Sequence, residues 1–219
     1  MSHRTTEDPA TIRAVATELE ALRLHDAETR NDIHSDGAPF PRSCRRLLRS
    51  IPGNSRCMDC GNRNPDWASV TYGVLLCTVC SGRHRSYGVS VSRVRSVTMD
   101  SWSHSQVLAM LEGGNEQLQN FYSRHGMGER SPPGVFGQRY HTKAARFYRQ
   151  NMEGHVAGVG RAGRLWRGRE ASRNAATLAA GTVATKTKTK TTAPKPLQRT
   201  RSTSRVQGMA PVVALPLRV

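Results

Sequence analysis

Four cysteines of the chain stand in two C-x-x-C pairs, Cys57 with Cys60 and Cys77 with Cys80, and sixteen residues separate the pairs. Each pair can turn two sulfur atoms to the same side, and this spacing lets four thiolates surround one tetrahedral Zn²⁺. Because four thiolates leave no position for water or substrate, the pattern predicts one structural zinc rather than a hydrolytic one. A redox-active pair is the alternative, although that chemistry would require one pair rather than two at matched spacing.

The residues after the last cysteine carry a second chemical signal. Arg83 and Arg85 flank His84 in a short segment that ends at Gly88. An arginine held beside a metal site loses little conformational entropy on binding phosphate, and its planar guanidinium suits charge spread over several oxygens. Such an arginine could bind a nucleic-acid phosphate or enter a nucleotide site on another protein. A surface arginine that serves only solubility is the third interpretation.

Three other reactive side chains are interpreted as structural. Cys44, the fifth cysteine, begins a leucine-containing helix and is predicted to be a buried thiol that acts as a small apolar group. Asp100 precedes a helical pattern and is predicted to cap that helix rather than to act as a catalytic acid. His84 lies between two arginines, which disfavour its cationic form, so we expect it to pack in the core.

The elements that must position these residues begin with an N-terminal helix. Apolar residues at helical spacing predict a helix from Asp8 to Arg30, with Asp8 as its cap and Pro9 in its first turn. A short, alanine-containing stripe of this kind could also be marginal on its own and fray in solution. Turn residues at positions 31–41 predict a linker after it. The apolar positions of the helix are Ile12, Val15, Ala16, Leu19 and Leu22.

Helices and strands are both predicted in the part that follows the linker. The predicted elements are a helix over Cys44–Ile51, a strand over Val70–Cys77 interrupted at Gly73, a strand within Val89–Met99, helices over Asp100–Gly113, Asn115–Arg124 and Tyr140–Met152, and a loop over Arg130–Gly134. The inward-facing side chains of the later helices are expected to include Trp102, Val107, Met110, Leu111, Leu118, Phe121, Tyr122, Ala144, Phe147 and Tyr148. The fold class is therefore α+β, a small zinc-finger domain whose short β-sheet is surrounded by helices.

The formal net charge of +17 is unevenly distributed. Residues 154–219 contain 13 basic residues, a single acidic one (Glu170) and a single aromatic one (Trp166), whereas the preceding part has a net charge of only +5. A segment with so little apolar material does not offset the entropy of ordering, so a disordered basic tail is predicted. The expected division is an N-terminal extension at 1–42, a zinc-finger domain at 43–153 and the tail at 154–219.

Composition also excludes two classes of protein. There is no uninterrupted apolar run of about 18 residues that could span a bilayer, and the N-terminus has no hydrophobic stretch like that of a secretory signal. Five cysteines in a chain of 219 residues do not form the dense pattern of a secreted disulfide scaffold. The sequence therefore predicts a soluble protein made in the cytosol.

The order of these motifs resembles a known family. The pattern Cys57-x2-Cys60-x16-Cys77-x2-Cys80-Ser-Gly-x-His-Arg85, with Asn64-Pro-x-Trp67-Ala-Ser69 inside it and Ser92-x-Val94-Arg95-Ser96-x-Thr98-x-Asp100-x-Trp102 after it, resembles the zinc-dependent GTPase-activating domain that acts on Arf (ADP-ribosylation factor) GTPases. Gly113-Gly-Asn115 and Tyr140-x-Thr-Lys-Ala-Ala145 look like the Golgi-type subgroup. The resemblance covers about Cys44 to Met152, half of the chain.

The resemblance implies a GTPase activator that has no nucleotide site of its own and is not itself an enzyme. Arg85 matches the family's catalytic arginine, and Cys57, Cys60, Cys77 and Cys80 match its zinc ligands. The partner would be an Arf-family GTPase in its GTP-bound form, which would supply Mg²⁺ and the glutamine that orients the attacking water. The implied location is the cytoplasm, on the surface of Golgi or vesicle membranes, in vesicle-mediated transport.

Four positions near the arginine qualify this interpretation. The family usually has leucine and histidine where this sequence has Tyr87 and Ser90, which changes the packing beside Arg85. Arg83 places a second guanidinium there and competes for the catalytic role. Trp67 could brace the arginine segment, touch the GTPase, or simply cover the zinc site as a core aromatic.

Two other functional classes compete. A four-cysteine site with basic residues also occurs in nucleic-acid-binding zinc fingers, but the strongly basic part here starts tens of residues after the last cysteine, so no specific nucleic acid is expected. The other competing class is a catalytically inactive relative that only docks on GTPases or membranes.

The basic tail allows two interpretations. It could be a solvated chain, or it could bind an anionic membrane, where each basic residue contributes about 1 kcal/mol and Leu165 and Trp166 enter the interface.

Overall fold

A computed structural model describes residues 8–29, 37–127, 137–161 and 165–174. Among the described helices, none combines the length and the apolar character that crossing a bilayer requires. The predicted loop at Arg130–Gly134, most of the predicted linker and the low-complexity part of the predicted tail lie outside the described residues. The described elements are α1 (Pro9–Glu28), α2 (Arg42–Ser50), β1 (Trp67–Ser69), β2 (Val74–Leu76), α3 (Thr78–Ser86), β3 (Val94–Ser96), α4 (His104–Glu112), α5 (Asn115–Arg124), a 3-10 helix (Gln138–His141), α6 (Lys143–Arg161) and a helical segment at 169–174.

The three strands form one antiparallel sheet in the order β2-β1-β3. The strand predicted within Val89–Met99 is confirmed as β3, but the strand predicted over Val70–Cys77 is only partly right. Residues 70–73 form the turn between β1 and β2, and β1 itself was not predicted. The backbone of Gly73 has a φ of 64°, and a Cβ there would lie 2.6 Å from the Ala109 carbonyl oxygen. This glycine therefore permits both the tight turn and the close approach of α4.

Helix α1 is an integral part of the hydrophobic core. Asp8 caps it by accepting a hydrogen bond from the Thr11 amide at 3.1 Å, as predicted, and Pro9 is its first residue. The helix packs against α2 and α4, and tertiary contacts of this kind stabilise a helix that would be marginal alone. Its buried side chains are four of the five predicted: Val15, Ala16, Leu19 and Leu22.

Two carboxylates of α1 also cap the N-termini of its neighbours. Glu18 accepts hydrogen bonds from the backbone amides of Ser43 and Cys44 at 2.8 to 2.9 Å, and Asp26 accepts one from the His104 amide at 2.7 Å. The first amides of a helix have no partner within the helix, so these carboxylates satisfy groups that would otherwise require water. Helix α1 thus joins the starts of α2 and α4.

The predicted capping role of Asp100 is wrong. Helix α4 starts at His104, and Ser103 caps it in a reciprocal capping box with Gln106. The Asp100 carboxylate instead accepts a hydrogen bond from the Ser96 amide at 2.6 Å, within the turn that follows β3. The Trp102 indole also binds this turn, since its N–H donates to the Ser96 carbonyl at 2.9 Å. These two bonds fix the turn, and the helix cap lies three residues further along the chain than predicted.

The C-terminal part of the fold extends beyond residue 153. Helix α6 continues to Arg161, with Val156 buried, whereas Tyr140 belongs to the separate 3-10 helix. Phe147, predicted to pack inward, is 55% exposed. The inward positions are spaced by three or four residues, at Ala145, Tyr148, Met152 and Val156, and Phe147 does not share that face.

Trp166 is buried rather than available for a membrane interface. Its side chain is 6% exposed, and its indole N–H donates to the Glu112 carboxylate at 2.7 Å. His155 contacts the other oxygen of Glu112 at 2.8 Å. A fully buried carboxylate requires such partners because it has lost its hydration. The prediction that Leu165 and Trp166 enter a membrane interface is therefore wrong for Trp166.

Replacing Glu18 by alanine should destabilise the fold by about 1–2 kcal/mol, because the first amides of α2 lose their acceptor. Partial burial opposes ionisation of Glu18, but the hydrogen bonds from Ser43 and Cys44 outweigh it and lower the pKa of the carboxyl. The contribution of Glu18 is therefore present above the ordinary glutamate pKa and is lost as the pH falls through the lowered value. Urea denaturation at several pH values measures it. Glu28→Ala, an exposed site on the same helix, is the control, and an equal loss there would contradict the capping role.

Candidate functional site

The four cysteines of the two pairs converge on one point. The Sγ atoms of Cys57, Cys60, Cys77 and Cys80 all lie within 4.8 Å of one another. The first pair lies in the turn before β1, where the Gly61 amide donates to the Cys57 carbonyl, and the second pair spans the end of β2 and the start of α3. The spacing thus brings together residues from two parts of the chain, as predicted.

This sulfur cluster could hold a metal ion. Metal–sulfur bonds of about 2.3 Å in a tetrahedron require sulfur atoms about 3.8 Å apart, which the cluster reaches with small adjustments. A hydrogen bond from the Cys80 thiol, together with backbone amides, lowers the pKa of Cys57 despite its burial, and the same hydrogen bond raises the pKa of Cys80. The thiolate is the form of cysteine that binds a metal. Cys44 is buried elsewhere, as predicted, and burial raises the pKa of its thiol.

Arg85 lies near the end of α3 and is exposed to solvent. The central carbon of its guanidinium lies 4.5 Å from the centre of the Trp67 ring, so the cation stacks on the aromatic face. Trp67 is half-buried and packs against the cysteine cluster. The tryptophan therefore both covers the cluster and braces the arginine, which combines two of its predicted roles. Arg83 is also exposed, but two residues along a helix correspond to a rotation of about 200°.

A buried polar network connects the cluster to α3. His84 is completely buried, and its two ring nitrogens lie 2.7 Å from the Ser92 hydroxyl and 3.1 Å from the Asp59 carboxylate. The other oxygen of Asp59 accepts hydrogen bonds from the Tyr140 hydroxyl at 2.6 Å and from Arg139 at 2.5 Å. Burial opposes ionisation of Asp59, but the hydrogen bond and charge of His84, with Arg139 and Tyr140, lower its pKa to about 2.

Sequence reasoning missed Asp59 and its C-terminal partners. Asp59 stands between Cys57 and Cys60, which was a signal of its proximity to the cluster, but its contact with Tyr140 joins residues 81 positions apart. His84 was correctly placed in the core. In the structure it is a hydrogen-bonded residue as well as a packed one, and it comes immediately before Arg85.

Tyr87 fills the space on the other side of His84. Its ring lies 5.2 Å from that of His84 and stacks on Tyr140 with a centre-to-centre distance of 5.8 Å. Its hydroxyl approaches Gly137, where an added Cβ would lie only 3.0 Å away. The tyrosine is thus accommodated because position 137 has no side chain. Ser90 is exposed.

Known proteins resemble this chain over the residues that carry the site. Residues 42–156 match the family "ArfGap: Putative GTPase activating protein for Arf". Since the match spans more than half of the chain, the protein belongs to the ArfGap family. Helix α1 and the segment at 165–174 lie outside the matched residues.

Three similar proteins illustrate the extent of the match. ADP-ribosylation factor GTPase-activating protein 3 of Pongo abelii is 45% identical over 109 residues, which are 49% of this chain and 20% of that protein. ADP-ribosylation factor GTPase-activating protein GCS1 of Saccharomyces cerevisiae is 38% identical over 120 residues, 54% of this chain and 33% of that protein. A solved "putative GTPase activating protein for ADP ribosylation factor" of Cryptosporidium parvum has 31% identity and a TM-score of 0.48, covering 52% of this chain and 88% of that one. The chain therefore matches one fifth to one third of the length of these two curated relatives.

Tyr140→Phe should lower the free energy of unfolding by about 1–2 kcal/mol, because the buried Asp59 carboxylate loses a hydrogen-bond donor. Thermal or chemical denaturation measures the change. Tyr148→Phe is the matched control, since this tyrosine is also buried but its hydroxyl contacts Gln117 at 3.4 Å, a weak hydrogen bond. If both variants lose the same amount, the bond to Asp59 has no special contribution.

Proposed function

We propose that this protein activates GTP hydrolysis on an Arf-family GTPase and that Arg85 is the residue it supplies. The observation that carries the proposal is the exposed guanidinium of Arg85, which stacks on Trp67 beside the cysteine cluster. Membership of the ArfGap family and the names of the two curated relatives support the partner class. The GTPase would be bound in its GTP form, since that form contains the bond to be broken.

The proposed role of Arg85 follows from the chemistry of phosphoryl transfer. In the transition state, negative charge spreads over the oxygens of the transferred phosphoryl group, and an arginine supplied by a second protein can accelerate hydrolysis by about 10³–10⁵. This corresponds to about 4–7 kcal/mol of barrier. A guanidinium held on Trp67 and on a helix fixed by His84 has fewer conformations to lose when it enters the partner's site. In this proposal the GTPase provides the nucleotide site, the magnesium ion and the residue that orients water.

We further infer that the cysteine cluster holds one zinc ion with a structural role. Thiolates suit zinc, and a four-sulfur shell leaves no position for substrate. The residues that would hold the ion are Cys57, Cys60, Cys77 and Cys80, and the metal would supply the cross-link between the turn before β1 and the start of α3. Asp59 lies between two of these cysteines and His84 follows Cys80 on α3, so the hydrogen bond between Asp59 and His84 would hold together the two segments that carry the ligands.

The proposed location is the cytoplasmic surface of Golgi or vesicle membranes, in vesicle-mediated transport. The basic composition of residues 154–219 supports contact with anionic lipid, since each lysine or arginine near such a surface contributes about 1 kcal/mol. Residues 165–174 of that region pack on the folded part, so the proposed membrane-binding tail is residues 175–219.

Arg85→Lys should remove most of the stimulation of GTP hydrolysis, about 10²-fold or more, because lysine lacks the planar guanidinium and its several donors. Single-turnover hydrolysis by an Arf protein loaded with GTP measures the rate. Arg83→Lys is the matched control on the same helix and should keep nearly full stimulation. The opposite pattern would assign the role to Arg83, and unchanged rates for both would reject an arginine-based mechanism.

Purified protein should contain one zinc per chain, and Cys80→Ser should lose it together with several kcal/mol of stability, since metal binding contributes directly to folding. Native mass spectrometry and elemental analysis measure the metal, and thermal denaturation measures the stability. Cys44→Ala should retain the zinc, because that thiol lies outside the cluster. A folded, metal-free wild-type protein would contradict the structural role.

A further inference from the structure

Helix α2 carries four arginines on one face. Arg42, Arg45, Arg46 and Arg49 follow the i, i+3, i+4, i+7 spacing that places side chains on the same side of a helix. Arg45 is half-buried and the other three are exposed. We call these four residues the arginine stripe. The opposite face of the helix is apolar and belongs to the core through Cys44, Leu47 and Leu48.

Little negative charge within the described part of the chain balances the arginine stripe. Arg49 pairs with Asp66 at 2.5 Å, whereas the ion pairs found among the described residues include none for Arg42, Arg45 or Arg46. The first turn of α2 contains no acidic residue. The carboxylate that α1 places at this end of the helix, Glu18, is already bonded to backbone amides.

The arrangement opposes the stability of the helix that carries it. Like charges three and four residues apart repel each other on a helix surface. Arg42, Arg45 and Arg46 also lie in the first five residues of α2, near the positive end of the helix dipole, where cations are disfavoured. An anionic partner outside the protein would relieve both effects. The placement of the arginines therefore favours a binding role over a role in stability.

The stripe and Arg85 are carried by different helices. Helix α2 packs against α1 and α4, whereas α3, which carries Arg85, packs against β1 and β3. At the C-terminal end of α2, Arg49 contacts Asp66, the residue before Trp67. Arg42, Arg45 and Arg46 lie towards the other end of the helix, up to about 10 Å along its axis from that contact.

We propose that the arginine stripe binds the phosphate groups of an anionic phospholipid bilayer. Guanidinium groups pair with phosphate through two parallel hydrogen bonds. The stripe extends about 10 Å along a convex helix face, which fits an extended layer of headgroups better than a single small anion. Helix α2 has no aromatic side chain on which a base could stack, which disfavours single-stranded nucleic acid.

The test compares partition of the full-length protein onto phosphatidylcholine vesicles with and without phosphatidylserine. Replacing Arg42, Arg45 and Arg46 together by glutamine should lower partition onto the anionic vesicles about tenfold or more. Glutamine is a good helix former, and it removes the repulsion within α2, so the thermal unfolding midpoint should stay the same or rise. The assay contains no GTPase, so its outcome is independent of the proposed catalytic role.

A control variant with the same loss of charge separates a defined surface from bulk electrostatics. Arg124, Arg146 and Arg161 are exposed on α5 and α6, and their joint replacement by glutamine should change partition less than twofold to threefold. Equal losses in the two variants would overturn the proposal in favour of net charge alone. Unchanged partition of the stripe variant, or a loss confined to binding of duplex DNA, would overturn it as well.

Discussion

The buried carboxylate of Asp59 connects three parts of the protein that are distant in sequence. It lies in the turn of the first cysteine pair, faces His84 in α3 and accepts hydrogen bonds from Arg139 and Tyr140 in the 3-10 helix. A buried charge is tolerated only when partners replace its hydration, and losing one partner leaves the remainder uncompensated. The network therefore holds the cysteine cluster, α3 and the start of the C-terminal helices in one arrangement. Because Arg85 lies on α3, the network also fixes the position of this exposed arginine.

The small sheet divides the structure into two halves with different composition. Each strand has three residues, which is too little for a sheet to be stable by itself. Trp67 and Leu76 pack with Cys57 and Cys80, and α3 contacts β1 and β3, so cysteine and polar contacts replace a large apolar core on this side. Ala68 and Leu75 belong instead to the larger apolar cluster, in which leucine, valine and alanine side chains of α1, α2 and α4 are also buried. The site thus rests on a helical support that ordinary apolar packing stabilises.

Local patterns predicted the local features of this fold well. Cysteine spacing indicated the cluster, helical periodicity indicated α1, and the glycines at 113 and 114 indicated the break between α4 and α5. The errors arose where distant residues decide the outcome. Residues 70–73 have the composition of a strand but form a turn, because Gly73 lies against α4. Asp100 has the sequence of a cap but binds the turn behind it. Tyr140, a partner of Asp59, and Glu112, the partner of Trp166, lie more than 50 residues away in sequence, and no local pattern indicates such contacts.

The hydrogen bond between Trp166 and Glu112 limits which fragments of the chain keep their buried contacts. The residues that match the family end at position 156, yet the indole that donates a hydrogen bond to the buried Glu112 carboxylate comes after them. The carboxylates that cap α2 and α4 come before them, on α1. A fragment cut at the limits of family similarity would keep the cysteines and the arginine but would lose three of the groups that satisfy its buried polar atoms. In this protein the set of residues that pack and hydrogen-bond together is larger than the set that matches the family.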